Sequence, residues 1–303
     1  MITFLAGGGE TCKLIQGLRS FADDSDLAVI AGTADGMWVS GNYALPALDA
    51  VLFLFSGMLG TRDWSGIRGD SCATARFLQT MGRSEPIIVG DRERAVHIAR
   101  SDLLAAGLSL TAATEVIAGQ FGIASTILPM SDDEVHVAVE CDDEWLHLLE
   151  YECMQHHVSA IQRVVPVYTR RPRAGAKALA CLAESRAVVI GPDNPVSRVL
   201  PFLCCEGMRE ALEERFVIAL SPFSPRAPHR AEIGAMLTAE GFSPDSAGVR
   251  RLYGGMVDVF VQDVRDPVEV EGAMQLNYAL TSQGRAESLA WDLMAVIRQH
   301  AGA

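Results

Sequence analysis

The sequence lacks any uninterrupted apolar stretch near the roughly 20 residues that a membrane-spanning helix needs. Residues 1–5 are largely apolar, but glycines follow at once and no basic segment precedes them, which argues against a signal peptide. The longest apolar run, residues 50–55, is typical of a buried helix. We therefore expect a cytoplasmic protein without a membrane partner.

Positive charge is also scarce. The chain has 25 lysines and arginines against 38 aspartates and glutamates, which gives a net charge of −13 at pH 7. Such a charge repels a nucleic-acid backbone, so nucleic acid is not an expected partner, although a local pocket can still take a nucleotide.

Paired cysteine motifs are absent as well. The seven cysteines are odd in number and have neither CxxC nor zinc-ligand spacing, so we expect free thiols rather than a disulfide framework. Because 49% of the residues are hydrophobic and 21% are charged, the composition indicates a folded chain rather than a disordered one.

Short apolar runs alternate with longer amphipathic stretches, which is the pattern of a parallel sheet covered by helices. The predicted strands are residues 2–5, 27–31, 87–89, 187–190, 216–220 and 257–261. The predicted helices are residues 11–21, 73–81, 94–106, 111–121, 174–185, 196–213, 230–239 and 287–300. The fold class is therefore α/β.

Residues 125–168 interrupt this alternation. Residues 135–140 and 145–152 alternate apolar and polar positions around the acidic turn of Cys141, Asp142 and Asp143, which indicates an antiparallel hairpin. We expect a small antiparallel insertion or lid within a single α/β domain spanning residues 1–303. His156 and His157 would point to opposite faces of a strand, so we discount them as a metal pair.

A first glycine-rich turn, Gly7, Gly8 and Gly9, follows the first predicted strand and precedes a helix. Backbone amides at a helix N-terminus can hold a phosphate, and Lys13 in the first helical turn adds a cation. The motif is neither GxGxxG nor a Walker loop, so an ordinary tight turn explains it equally well.

A second such turn contains Gly191, Pro192 and Asn194, again between a buried strand and a helix, with Ser197 in the first helical turn. Two glycine turns at carboxyl ends of parallel strands favour a ligand-binding crevice there. The alternative is simple capping, with Asn194 as the N-cap and Pro195 at the first helical position. The sequence leaves both open.

The helix that follows Asp91 and Arg92 carries Glu93, His97 and Arg100 on one side, because they are three and four residues apart. Arginine suits bidentate contact with phosphate or with a carbonyl-rich ring. A surface ion-pair network is the alternative.

Carboxylates also lie near the expected crevice, at Asp35, Asp49 and Asp70. Hard divalent cations take oxygen ligands of this kind and bridge phosphoryl oxygens. Each of these residues can equally be a helix cap, and their spacing does not select the ligands.

Taken in order, these segments resemble the 2-phospho-L-lactate transferase family, whose archaeal, methanogen members open with a strand and a glycine turn leading to Lys-Leu. The resemblance covers nearly the whole chain. The segments that carry it are residues 7–14, 33–42, 46–49, 66–71, 90–97, 128–133, 150–151, 190–195 and 258–261.

The resemblance implies a Rossmann-like α/β core with extra elements and a transferase of coenzyme F420 biosynthesis. Such an enzyme moves a phospholactyl, or in some members a phosphoenolpyruvyl, group from a guanosine diphosphate-linked donor to the deazaflavin Fo and releases GMP. Magnesium is the implied cofactor. Donor, Fo and a second copy in a homodimer are the expected partners.

Residue roles follow only from the match to the family. Asp49 would orient the reacting hydroxyl as the catalytic residue, and would hold magnesium with Asp35. Fo would contact Asp49, Arg92, Trp38 and Ser40. The donor would contact Gly7, Gly8, Gly9, Lys13, Asp91, His97, Gly191, Pro192, Asn194 and Ser197.

Gly32, Gly36 and Ala47 replace polar residues that the family commonly has. These losses motivate a second hypothesis, a divergent paralogue that binds nucleotide or deazaflavin without catalysis. A third, the related gluconeogenesis-factor group, also begins with a glycine turn, but Gly90, Asp91 and Arg92 argue against it.

Overall fold

The computed structural model describes residues 1–153, 161–225 and 229–301. Its strands are β1 (Ile2–Ala6), β2 (Leu27–Ala31), β3 (Met37–Val39), β4 (Asn42–Ala44), β5 (Thr126–Pro129), β6 (His136–Cys141), β7 (Glu144–His147), β8 (Ile161–Val167), β9 (Ala187–Ile190), β10 (Val217–Leu220), β11 (Val259–Asp263) and β12 (Met274–Leu276). Its helices are α1 (Gly9–Leu18), α2 (Pro46–Phe55), α3 (Ala73–Thr80), α4 (Asp91–Ala105), α5 (Leu110–Gln120), α6 (Leu148–Cys153), α7 (Ala176–Glu184), α8 (Leu200–Cys204), α9 (Met208–Glu213), α10 (Arg230–Ala239), α11 (Ser246–Tyr253) and α12 (Gln283–Ala301), with a π-helical turn at Pro195–Val199.

The central sheet has seven strands in the order β12-β11-β10-β9-β1-β2-β5, and all neighbouring pairs are parallel. β1 lies between β2 and β9, so the chain builds the sheet outward from β1 in one direction and then in the other. The topological switch point is therefore between β1 and β9, where open α/β sheets bind ligands. This arrangement confirms the predicted α/β, Rossmann-like fold.

Helices cover both faces of this sheet. Phe4 packs in one hydrophobic cluster and Leu5 in another, because successive side chains of a strand point to opposite faces. β1, β2, β9 and β10 are consequently buried along their whole length. The continuous apolar runs in the sequence reflect this two-sided burial.

The predicted antiparallel element is confirmed as a three-stranded sheet in the order β7-β6-β8. Asp142 and Asp143 form its turn with positive φ angles of 51° and 63°. β5 comes from the segment predicted as the insertion, yet it pairs with β2 in the central sheet. That the chain forms one domain stays a prediction, and His156 and His157 lie outside the described residues.

Two predicted elements are wrong. Residues 87–89 form no strand, because they follow Pro86 and pack by side chains against the β3–β4 hairpin, where Val89 meets Val39 and Ala44. Residues 196–213 form no single helix, since α8 ends at Cys204 and residues 205–207 separate it from α9. Gly207 adopts a φ of +88°, which favours glycine, immediately before α9.

All seven cysteines are free, as expected. Of the helices within the described ranges, none combines the length and the apolar character required to cross a bilayer.

Candidate active site

The two glycine turns meet at the switch point. The Gly7 amide donates to Oδ2 of Asp193 at 2.8 Å, and the Thr11 amide donates to Oδ1 at 3.2 Å. Gly191 packs directly on α1, since a Cβ there would lie 1.8 Å from Oγ1 of Thr11. The start of α1 and the loop after β9 are thus in direct contact at the edge of the sheet where the crevice was expected.

Part of the first glycine turn, residues 7–9, is packed against other parts of the protein. A Cβ on Gly7 would lie 2.6 Å from Cβ of Arg198, so glycine is required by the close approach of the chain. The Asp193 carboxylate takes two of the amide donors that a phosphate would use. Within the described ranges, the amides of Gly8 and Gly9 find no acceptor and remain open to a ligand.

In the second turn, Asn194 caps the helical segment that follows, which is the capping role considered for it above. Oδ1 of Asn194 accepts hydrogen bonds from the amides of Val196 at 3.0 Å and Ser197 at 3.3 Å, and Pro195 occupies the first helical position. Pro192 is buried beside it. The Ser197 hydroxyl is buried and has no hydrogen-bond partner in the part of the chain that the structure describes.

Asp49 lies in the first turn of α2 and is fully buried. Nε2 of His97 lies 3.0 Å from its Oδ2, and the Arg100 guanidinium donates to both of its oxygens. Arg100 is itself fully buried and also donates to the carbonyl of Tyr43 at 3.0 Å. His97 and Arg100 therefore form a buried network around Asp49, not the surface network that was the alternative.

Charge pairing decides the protonation state of Asp49. Burial alone would raise the pKa of its carboxyl, but Arg100 and the His97 hydrogen bond hold that pKa below its ordinary value. Ligand atoms of Asp49, Glu93 and His97 lie within 4.8 Å of one another, a spacing that can hold a metal ion. Within this cluster, the Arg100 cation already pairs with the Asp49 carboxylate.

Asp35 follows β2 and is also buried, with a different set of partners. Its Oδ2 accepts the amide of Ala47 at 2.9 Å, at the start of α2, and pairs with Nη1 of Arg198 at 2.6 Å. Arg198 donates through Nη2 to both oxygens of Glu152, at 2.6 and 2.7 Å. The Arg198 guanidinium is therefore shared by the carboxylates of Asp35 and Glu152, and Arg198 packs against Gly7 of the first glycine turn.

Two buried oxygen atoms of the loop that follows β2 lack partners within the described ranges. Oδ1 of Asp35 and the Thr33 hydroxyl are buried and accept or donate no hydrogen bond among the described residues. Burial raises the pKa of Asp35 to about 6 against the opposing effect of Arg198. An unsatisfied buried oxygen is costly, so these two atoms are candidate contacts for a ligand.

Apart from the buried Asp49, the residues expected to contact the acceptor lie on the outside of α4 and on the β3–β4 hairpin. Arg92 is exposed and donates to the carbonyl of Arg68 at 2.8 Å. Trp38 is 50% exposed and stacks on Tyr43 with ring centroids 4.9 Å apart. Ser40 donates to Glu85 at 2.5 Å. These side chains offer an aromatic surface and hydrogen-bonding groups to a ligand.

Asp91 and Lys13 have local partners. Asp91 caps α3 by accepting the amides of Ala73 and Thr74, each at 2.9 Å, and hydrogen bonds from Ser71 and these amides lower its pKa. Lys13 pairs with Glu10.

Sequence reasoning missed Arg198, Glu152 and the structural role of Asp193. Their partners are far away along the chain, so no local spacing reveals them. The available signal was Arg198 itself, a single charge within the apolar segment 196–203.

The chain matches the family model of the 2-phospho-L-lactate transferase CofD over residues 2–290. It is 42% identical over 299 residues to a 2-phospho-L-lactate transferase of Methanocorpusculum labreanum, covering 97% of this chain and 98% of that protein. It is 38% identical over 294 residues to the enzyme of the same name from Methanospirillum hungatei, covering 97% and 99%.

Among solved structures, a member of the UPF0052 family from Bacillus halodurans is similar in fold, with a TM-score of 0.55 and 14% identity over 88% of this chain and 81% of that one. At this identity the likeness concerns the fold alone. The family match and the two relatives decide the assignment: the chain belongs to the 2-phospho-L-lactate transferase family, CofD, an enzyme family of transferases.

Proposed function

We propose that this chain transfers a 2-phospholactyl, or phosphoenolpyruvyl, group from a guanosine diphosphate-linked donor to the deazaflavin Fo in coenzyme F420 biosynthesis. The observation that carries the proposal is the similarity to 2-phospho-L-lactate transferases over 97% of the chain. The topological switch point, with its two glycine turns in contact, supports a nucleotide-linked substrate at that edge of the sheet.

The reaction exchanges one phosphorus–oxygen bond for another. The terminal ribityl hydroxyl of Fo bonds to the phosphorus that carries the lactyl group, the bond to the GMP oxygen breaks, and the hydroxyl proton passes to solvent or to a nearby base. Such a transfer needs positioning and charge stabilisation more than a covalent protein intermediate. The amides of Gly8 and Gly9, with Lys13, are our candidates for the donor phosphates, and Gly191, Pro192 and Asn194 are further candidate contacts for the donor at the same edge of the sheet.

Magnesium, when bound, would neutralise charge on the donor diphosphate. The oxygens that fit it best are Oδ1 of Asp35 and Oγ1 of Thr33, because both are buried without a partner among the described residues and hard cations take oxygen ligands. Asp49 fits less well, since Arg100 and His97 engage both of its oxygens. We propose Asp35 as the principal magnesium ligand.

For the acceptor, the exposed face of Trp38 offers a stacking surface for a planar ring, and Arg92 and Ser40 offer donors. Asp49 would act as a positioning residue for this surface. Arg100 links its carboxylate to the backbone carbonyl of Tyr43, and the ring of Tyr43 stacks on Trp38. A homodimer is our proposal for the assembly.

The test is a turnover assay with Fo, magnesium and each guanosine diphosphate-linked donor, following both GMP and the phosphorylated deazaflavin. We expect product with one or both donors, and loss of product on chelation of magnesium. The absence of product with either donor, from protein that is folded, would contradict the proposal.

The second candidate is a binding module without turnover. Its support is the Asp193 carboxylate, which occupies amide donors of the first glycine turn, together with the polar side chains lost at Gly32 and Ala47. It predicts binding of GDP or Fo with no magnesium-dependent release of GMP.

A further inference from the structure

A cavity of about 830 Å³ runs along α1, starting beside the β1–α1 turn. One wall consists of side chains that recur every third residue along the helix, from Glu10 and Lys13 to Arg19. The other walls come from residues 57–68 and from residues 280–286. Its volume lies within the range of about 300–1,000 Å³ that small-molecule sites occupy.

The charge of this cavity is opposite to that of the protein. Four cationic side chains, Lys13, Arg19, Arg62 and Arg68, line it against the single carboxylate of Glu10, in a chain with a net charge of −13. Arg19 is paired with Asp24. Over the described ranges, Arg62 and Arg68 have no acidic partner within ion-pair distance, so both can attract an anion.

Trp64 gives the same cavity an aromatic wall. Its backbone has a φ of +53°, which is strained for a tryptophan and persists only where the surroundings hold it. Gly9 packs on it so closely that a Cβ there would lie 2.9 Å from Cβ of Trp64. The Lys13 ammonium lies 5.8 Å from the ring centroid, so an aromatic surface and a cation adjoin the open amides of the first turn.

We propose that this cavity binds the nucleoside diphosphate part of the donor, with the base stacked on Trp64 and the phosphates held by Lys13, Arg62 and Arg68. The inference rests on the proposed function and adds Trp64, Arg62 and Arg68 to the donor site. The cations favour the donor over Fo, because the donor carries a diphosphate and Fo carries no phosphate.

GDP binding measured by calorimetry tests the stacking contact without any turnover. We expect Trp64→Ala to weaken GDP binding about 10-fold or more and Trp64→Phe to retain most of it, because a phenyl ring still stacks. Trp145→Ala is the matched control, since Trp145 is an exposed tryptophan on β7 outside this cavity. Equal GDP affinity in Trp64→Ala and wild type overturns the inference.

The arginines are tested by the salt dependence of GDP binding. Arg68→Ala and Arg62→Ala should each weaken GDP binding and flatten its dependence on salt, whereas Arg76→Ala, an exposed position on α3, should change neither. If these variants impair Fo binding and leave GDP binding intact, the cavity belongs to the acceptor and the inference is wrong. A wild type that does not bind GDP also overturns it, whereas the transferase proposal is judged separately by GMP release.

Discussion

Asp35 and Asp49 are both buried carboxylates that accept backbone amides at or just before the start of α2, yet their surroundings shift their pKa values in opposite directions. Both oxygens of Asp49 are paired, Oδ1 with Arg100 and Oδ2 with Arg100 and His97, and the pKa of its carboxyl is lowered. Asp35 shares Arg198 with Glu152, keeps an oxygen without a partner, and has a pKa raised to about 6. Burial is nearly the same, so the difference comes from how completely each charge is paired.

The pairing of Asp49 makes it a structural carboxylate, whereas Asp35 keeps one oxygen without a partner among the described residues. The Asp49 network holds α2, α4 and the β3–β4 hairpin together, because Arg100 reaches both Asp49 and the carbonyl of Tyr43. The ionised form of Asp35 destabilises the fold, and its Oδ1 has no partner in the described part of the chain. We therefore predict that substitution of Asp49 lowers the stability of the fold and that substitution of Asp35 lowers magnesium-dependent turnover.

The largest expected effect on stability is that of Asp49→Asn. The substitution leaves the fully buried Arg100 without its counter-charge, which typically costs about 3–5 kcal/mol of unfolding free energy. Urea denaturation at pH 7 measures it. As a control, Asp49→Asn combined with Arg100→Met should recover part of the loss, and a loss below about 1 kcal/mol in the single variant would count against the assignment.

Asp35→Asn should affect turnover rather than folding. We expect GMP release to fall at least about 100-fold, equivalent to about 2.7 kcal/mol of barrier, because the amide is a poor magnesium ligand. At pH 7 the variant should unfold with no more than about 1 kcal/mol less free energy than wild type, since Asn still accepts the Ala47 hydrogen bond and carries no buried charge. A full turnover rate, or unfolding of this variant, would contradict the comparison.

The pH dependence of stability should differ between the two carboxylates. The pKa of Asp35 rises from 3.8 to about 6 on folding, so it destabilises the fold increasingly as pH rises from about 4 to 6, by roughly 3 kcal/mol in total. The stability of wild type relative to Asp35→Asn should fall over this window, with EDTA present. Over the same window, the stability of wild type relative to Asp49→Asn should stay nearly constant. The pKa of Asp49 is lowered on folding, so the stability that its charge gives is lost only below about pH 3.8.

The smallest expected effect concerns Asn194, a neutral cap at the same crevice. Asn194→Ala should cost about 1 kcal/mol, and Asn194→Asp should cost less because its carboxylate still accepts the amides of Val196 and Ser197. Thermal unfolding compares the two. If Asn194→Ala cost as much as Asp49→Asn, full pairing of a buried charge would not explain the stability of the Asp49 network.

Much of the fold could be predicted from the sequence because its signals are local. The bounds of β2, β9 and α10 follow from apolar runs and breakers, and the hairpin around Asp142 follows from alternation. β5 was not recognised as a strand of the central sheet, since pairing with β2 depends on the tertiary fold and not on its own four residues.

The candidate site was less predictable, because its decisive contacts join distant parts of the chain. The spacing of His97 and Arg100 predicted a shared helix face, but it could not predict that Asp49 would lie opposite that face. Likewise, nothing local pairs Arg198 with Asp35, or Asp193 with the Gly7 amide. Such pairs follow from topology, here from β9 lying beside β1.

The most direct test is release of GMP from the guanosine diphosphate-linked donor in the presence of Fo, measured side by side on wild type, Asp35→Asn and Asp49→Asn at equal concentrations of folded protein. We expect the wild type to form GMP and the phosphorylated deazaflavin in equal amounts with magnesium, and Asp35→Asn to lose this activity while remaining folded. A folded wild type that forms neither product, or an Asp35→Asn variant as active as the wild type, would contradict the account.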